Sequence, residues 1–226
     1  MPRSVHVSGS SDGLREALEE RLERSGAELV DEPDKAEITI QIDSQESSDI
    51  AIVPSGSTSP GSGIVIELSD VIIPNGGNKW GNGVMTDWIE KILSGKNPDP
   101  EPNIRFWVNV RDVVDAISTI CLNGKEKMPN GNYTMCGRRA WQMADVTDEI
   151  RVLWERYNNS INHSHTIESL SEVPSPVRGL HSKIEERPDL TKIHEALVIS
   201  GGDGWHPLVP MRVSLMEMIA SAKNST

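Results

Sequence analysis

Arg105-Phe106-Trp107-Val108-Asn109-Val110-Arg111-Asp112-Val113-Val114-Asp115-Ala116-Ile117 reads as a strand running directly into a helix. Phe106, Val108 and Val110 alternate with polar or bulky neighbours, the period of a half-buried strand. Asp112 stands where a helix N-cap belongs, and Val113, Ile117, Ile120 and Cys121 then fall on one helical face. The segments on both sides extend the same kind of pattern.

At the start of the chain, Val5-His6-Val7-Ser8 is a short strand and Gly9-Ser10-Ser11-Asp12-Gly13 a turn. Residues 14–25 read as a helix with Leu14, Ala17, Leu18 and Leu22 on one face, closed by Gly26. A second strand follows at 27–30. Strand, glycine turn, helix and strand is how a dinucleotide-binding fold opens. Residues 36–42, 50–53 and 64–68 are three more strands, separated by a polar loop at 43–49 and a Ser/Gly/Pro loop at 54–63. Central strands of a doubly wound sheet read as continuous apolar runs, because helices cover both faces. Here Ile38, Ile40 and Ile42 alternate with Glu37, Thr39 and Gln41, so one face is covered and the other is more polar. A second layer of helices is expected to be reduced or absent. Further on, 84–93 is a helix with Val84, Trp88, Ile89 and Ile92 inward. A strand at 131–136 precedes a helix at 141–157 with Val146, Ile150, Leu153, Trp154 and Tyr157 inward. A long polar connection spans 158–186, and 213–222 is the last helix. The fold class is therefore α/β: a reduced Rossmann-like, mostly parallel sheet with a small C-terminal lobe. Residues 1–75 form a trimmed nucleotide-binding part and 76–226 the remainder, as one compact unit.

The 226 residues suffice for one sizeable core. A formal net charge of −12 argues against a broad basic face for nucleic acid or an anionic membrane. Cys121 and Cys136 have no metal-site spacing and fall in apolar segments, as buried reduced thiols do. His163 and His165 lie two apart without a third ligand, so no metal site is expected. No stretch reads as a signal peptide or a membrane span, and a cytoplasmic location is expected.

Taken in order, these pieces resemble the extended short-chain dehydrogenase/reductases, the NAD-dependent epimerase/dehydratase family that acts on nucleotide sugars. The segment 105–116 resembles that family's R-D-F-x-x-V-x-D-V-x-x-A. Residues 69–77, Ser-Asp-Val-Ile-Ile-Pro-Asn-Gly-Gly, resemble R-x-x-N-V-Y-G-P-G-G, and 131–136 resemble G-x-x-Y-N-I-G. Arg187 to Ile193 with Gly204-Trp205-His206-Pro207 resemble R-x-x-D-x-S-K-A and L-G-W-x-P.

The resemblance implies NAD(P) at the first turn, on Gly9, Ser10, Ser11 and Gly13, with Asp31 toward the adenosine ribose. It implies Arg105 and Arg187 as contacts to a nucleotide sugar. The departures are specific. With Gly9 as the first glycine of V-T-G-x-x-G-x-x-G, Asp12 and Arg15 occupy the second and third positions, and Gly13 is displaced by one. Asp12 is also a good N-cap in its own right. The family's acid/base pair Tyr-x-x-x-Lys is absent: the only tyrosines are Tyr133 and Tyr157, and the fourth positions after them hold Gly137 and Ile161. A phenol near pKa 10 needs such a lysine to work near neutrality. The two long helices that form the family's usual dimer interface are missing as well. Two readings follow. One is a catalytically impaired protein that binds a nucleotide or nucleotide sugar, or serves as a partner subunit, with NAD(P) doubtful and a partner or second copy covering the trimmed sheet face. The other is an active NAD(P)-dependent epimerase/dehydratase whose acid/base is non-standard, drawn from Ser55, Ser57, Thr58 or Asp70.

Overall fold

The computed structural model describes residues 2–57, 61–124, 126–167 and 187–224. Six parallel strands form one sheet in the order β2-β1-β3-β4-β5-β8: β1 (Ser4–Gly9), β2 (Glu28–Leu29), β3 (Ile38–Ile42), β4 (Ile50–Pro54), β5 (Ile64–Leu68) and β8 (Gly131–Met135). β6 (Val71–Ile72) and β7 (Val108–Asn109) make a separate parallel pair.

One face of the sheet carries Val5, Val7, Ile38, Ile40, Ile42, Ile50, Ile52, Ile64, Ile66 and Leu68, all buried. Against it lie α1 (Gly13–Arg24), α3 (Val110–Thr119), the π turn Ile120–Gly124 and α5 (Thr191–Ile199). Leu14, Leu18 and Leu22 of α1 are fully buried there, each contributing roughly 1.5–3 kcal/mol.

The opposite face has no helix over β3, β4 and β5 among the described residues. The parallel strands are joined instead by residues 43–49 and 55–63. Five extended residues rise about 16 Å, and eight Cα-to-Cα steps reach roughly 26 Å, so a loop this short can carry the chain back along the strand. The returning chain itself covers the face. Ser48 Oγ and Ser62 Oγ lie 3.2 Å apart, the Gln41 amide donates to Ser62 Oγ at 3.2 Å, and Asp49 Oδ2 accepts from Thr39 N and Oγ1. Ala51, Val53 and Val65 on this face, which was expected to need a partner or second copy to cover it, are buried within the chain itself.

α2 (Asn82–Leu93), α4 (Met143–Ile161) and α6 (Met211–Asn224) form the second lobe. Met85, Trp88, Ile89, Val146, Ile150, Leu153, Leu215 and Ile219 fill its core, and Trp107 packs into it edge-on to Trp88. Trp154 and Tyr157, expected inward on α4, are only half-buried and stack on each other. The connection expected over 158–186 begins as the last turn of α4, and residues 168–186 lie outside the described ones.

The segment that opened the reading differs in one respect. Asn109, not Asp112, caps α3, its Oδ1 accepting from Arg111 N at 2.9 Å. Both residues have capping chemistry, three positions apart. Asp112 is instead inside the first turn, where it accepts from Leu208 N at 2.8 Å and Val209 N at 3.1 Å and so ties the 204–210 segment to α3. Burial pushes its carboxyl above the usual range, against those two hydrogen bonds. The predicted inward face holds: Val113, Ile117, Ile120 and Cys121 are fully buried. Among the described residues, no helix is long and apolar enough to cross a membrane and no cluster suits a metal ion.

Candidate functional site

β1 ends at Gly9, whose φ is +93°. A Cβ there would lie 2.2 Å from the carbonyl oxygen of Ile42, so only glycine lets the chain cross the end of β3. Ser10 N then donates to that same oxygen at 2.7 Å. This places residues 10–12 at the C-terminal edge of the sheet, directly before α1. A dinucleotide-binding fold receives its pyrophosphate at this place, on the free N–H groups of the helix N-terminus.

In this chain Asp12 takes two of those groups. Its backbone is extended (φ −136°, ψ 176°), and Oδ1 accepts from Leu14 N at 3.1 Å and Arg15 N at 3.3 Å. Oδ2 accepts from the Trp80 indole N–H at 3.0 Å and from Ser10 Oγ at 3.3 Å. Lys79 Nζ donates to Ser10 Oγ at 3.1 Å and pairs with Asp43. Trp80 is buried and holds φ at +61°, a left-handed conformation that bulky residues adopt only when their surroundings impose it. Gly13 sits against Ile73, whose Cγ2 would be 2.8 Å from an added Cβ. The positive end of α1 is thus met by a carboxylate of the chain itself, clamped by a serine, an indole and, one bond further, a lysine.

A phosphate at this turn would compete with that carboxylate, which already accepts from two of the first amides of α1, those of Leu14 and Arg15. Two unit negative charges about 4 Å apart also repel by roughly 4 kcal/mol at an effective dielectric near 20. Of the other residues proposed for the cofactor, Ser11 and Asp31 are exposed, with Asp31 in the bend after β2.

The structure does not bring the remaining candidates to this turn. Asp70 is buried, with φ at +54°. Its Oδ2 accepts from Phe106 N at 2.7 Å, its Oδ1 from Arg105 Nη1 at 3.1 Å, and its carbonyl from Val108 N at 2.9 Å. Arg105 also pairs with Glu101 at 2.5 Å. Burial alone would lower the pKa of the guanidinium, but the hydrogen bonds and charges of Glu101 and Asp70 outweigh it and hold Arg105 above its ordinary value. Both residues therefore join β7 to β6 and are committed to each other. Arg187 is exposed ahead of α5. Ser55 and Ser57 are exposed: Ser55 N continues the β4–β5 ladder to Leu68 O and Ser57 N closes a turn on Pro54 O, both at 2.9 Å, and Thr58 lies outside the described residues. Neither tyrosine is placed as an acid/base. The Tyr133 phenol donates to Pro129 O at 2.6 Å and is pushed up by burial, and Tyr157 stacks on Trp154.

No family model and no curated protein sequence matches the chain. Solved structures do. RMD from Pseudomonas aeruginosa complexed with NADPH superposes with a TM-score of 0.64 at 10% identity, covering 100% of this chain and 99% of that one. WbmF from Bordetella bronchiseptica, in complex with NAD+ and UDP, gives a TM-score of 0.60 at 12% identity, covering 99% and 93%. WbmH from the same organism, in complex with NAD+, gives 0.54 at 9%, covering 98% of each chain. These neighbours are extended short-chain dehydrogenase/reductases. This chain has their fold. Asp12 and Trp80 stand at the turn after β1, and the sequence contains no Tyr-x-x-x-Lys.

No sequence pattern marks Lys79 or Asp43 as part of this turn. The one signal for Trp80 is a tryptophan inside a glycine- and asparagine-rich loop, where a bulky ring is out of place.

Proposed function

We propose that this chain is an epimerase/dehydratase-like protein that carries out no hydride transfer and acts by binding a nucleotide or nucleotide sugar, alone or as the partner subunit of another protein. The observation that carries the reading is the Asp12 carboxylate on the first amides of α1, hydrogen-bonded to Trp80. With two of the first amides of α1 satisfied from within, the dinucleotide meets a competitor at the main contact that the fold offers it. The missing Tyr-x-x-x-Lys removes the proton-transfer step independently.

The binding half of the proposal rests on the fold likeness, which includes a neighbour solved with UDP, and on the exposed guanidinium of Arg187. Arg105 contributes less than its position suggests, because a diphosphate would have to displace Glu101 or Asp70 from it. An active-enzyme reading would need a proton donor. Asp70 already accepts from Phe106 N and Arg105, and Ser55 and Ser57 are exposed in a turn.

Native mass spectrometry of freshly purified protein, followed by calorimetric titration with UDP, tests the reading. The expected result is no NAD(P) carried through purification and saturable UDP binding that Arg187→Gln weakens. Stoichiometric NAD(P) in the purified protein would overturn the first half. No binding of UDP or any other nucleoside diphosphate would overturn the second.

A further inference from the structure

The six-stranded sheet has two edges, and only one is blunted. β2 gives its edge two residues, one of them Glu28, and a short, charged strand is a usual defence against pairing with another chain. β8 gives the other edge five residues, Gly131–Met135, with no charge and no proline among them.

The strand register shows which groups face outward. Gly131 N donates to Gly63 O at 2.9 Å and Met135 O accepts from Ser69 N at 3.4 Å, so Gly131, Tyr133 and Met135 turn their backbone groups toward β5. Backbone groups alternate in direction along a strand, so the N–H and C=O of Asn132 and Thr134 face away from β5. They make no hydrogen bond among the described residues. Past Met135 the edge is closed: the Trp205 indole donates to Cys136 O at 2.8 Å and Gly137 N to Phe106 O at 2.7 Å.

α5 flanks this stretch on the helix-covered face. Its residues Lys192, Glu195 and Ile199 fall at i, i+3 and i+7, one stripe of the helix. Together with Tyr133 they line a gap of about 320 Å³ between α5 and the strand. Lys192 and Glu195 are exposed and make no salt bridge among the described residues. Ile199 and its neighbour Val198 are 47% and 50% exposed, two large apolar side chains left open on the same helix.

The strand alone would accept any extended peptide, and the stripe on α5 selects a second copy. Antiparallel pairing of two β8 edges has a two-fold axis normal to the sheet, which sets the two copies of α5 side by side and antiparallel on one face. A basic and an acidic residue on one stripe then complement themselves, as an isologous contact requires.

We propose that two copies of this chain pair antiparallel through β8, about a two-fold axis at Tyr133, and join their sheets into one. Asn132 of each copy exchanges two N–H···O bonds with Thr134 of the other, four bonds across the axis. Lys192 of each α5 meets the other copy's Glu195, with Ile199 adding apolar area beside them. The second copy sits at the edge of the sheet and not on the face where Ala51, Val53 and Val65 are already buried.

Sedimentation velocity of the full chain over about 2–200 μM tests the state, and amide exchange followed by NMR tests the surface. The expected result is a monomer–dimer equilibrium in which the Asn132 and Thr134 amides are protected at high concentration and exposed on dilution. Thr134→Pro removes an outward N–H from each copy and no bond within the sheet, so it should fold as the parent does. It is expected to weaken the dimer about thirtyfold, the size of two lost hydrogen bonds. Glu195→Lys is expected to weaken it about tenfold, and adding Lys192→Glu, which swaps the charges, to restore it. A chain that stays monomeric overturns the proposal: protected amides would then mean that the chain closes its own edge, and fast ones that the edge is left for an extended segment of another protein. A dimer that survives both Thr134→Pro and Glu195→Lys, that the charge swap fails to restore, or whose Asn132 and Thr134 amides exchange fast at every concentration also overturns it. Should Thr134→Pro fail to fold, the charge swap on the exposed helix stripe still decides.

Discussion

The indole N–H of Trp80 donates to Asp12 Oδ2 at 3.0 Å, joining residues 68 positions apart at the N-terminus of α1. The same carboxylate caps the helix through its other oxygen, so one side chain both starts α1 and fixes the loop that carries Trp80. Replacing Asp12 with Ala should cost about 1–2 kcal/mol, as lost N-caps do. Trp80→Phe removes a hydrogen bond to a charged acceptor, worth roughly 1.5–3 kcal/mol. Because they share that bond, the double variant should lose about 1 kcal/mol less than the sum. Urea denaturation of the four proteins gives the coupling, and strict additivity would mean the contact does not hold the loop.

The end of β1 depends on Gly9. A methyl group there meets the Ile42 carbonyl at 2.2 Å, and the left-handed φ is strained for any side chain. Overpacking and backbone strain each cost about 1–3 kcal/mol. Gly9→Ala should therefore lower the urea midpoint far more than Gly26→Ala, where the added Cβ meets nothing within 4 Å and only the φ of +85° opposes it.

Arg105 and Asp70 act in stability. Their side chains are 24% and 10% exposed, so Arg105→Met strands a largely buried carboxylate and should destabilise by about 3 kcal/mol. Adding Asp70→Asn should recover part of that loss, since an amide costs less to bury than an unpaired charge. If Arg105→Met leaves the unfolding midpoint unchanged while abolishing ligand binding, the arginine belongs to a ligand site.

Cys136 sets an alkaline limit. Burial, with the nearby Asp70 charge, pushes its thiol up to about 12. The folded state then holds that proton more tightly than the unfolded chain, whose thiol titrates near pH 9. Stability contributed by the neutral thiol is complete below pH 9 and declines as pH rises toward 12, at about 1 kcal/mol per pH unit. Cys136→Ala should flatten that decline. A disulfide reagent at pH 8 should label the native protein slowly, and fast labelling of Cys136 would contradict its burial.

Much of the fold was legible in sequence because single-faced burial writes itself as alternation. Ile38, Ile40 and Ile42 against Thr39 and Gln41 announced a sheet with one helix-covered face. What covers the other face was not legible, since a loop that folds back over its own strand leaves no periodicity. Ser47, Ser48 and Ser62 look like any polar linker. The α3 cap was misplaced because Asn109 and Asp112 carry the same chemistry, and only the position of the 204–210 segment tells them apart. At the site, Asp12 was readable as a cap from its place after a glycine turn. Its partner was not, because Trp80 reaches it through a left-handed backbone that no local pattern predicts. Arg105 was read as a ligand contact because its neighbours in sequence do not reveal Asp70, which meets it only once β6 and β7 pair.

Equilibrium titration with NADH and NADPH, followed by nicotinamide fluorescence, tests most directly whether the chain's own carboxylate closes the dinucleotide turn. With the turn closed, neither cofactor gives a saturable change with the parent protein. Saturable binding of either one by the parent, abolished by substitutions at Gly9 or Ser10, would contradict it.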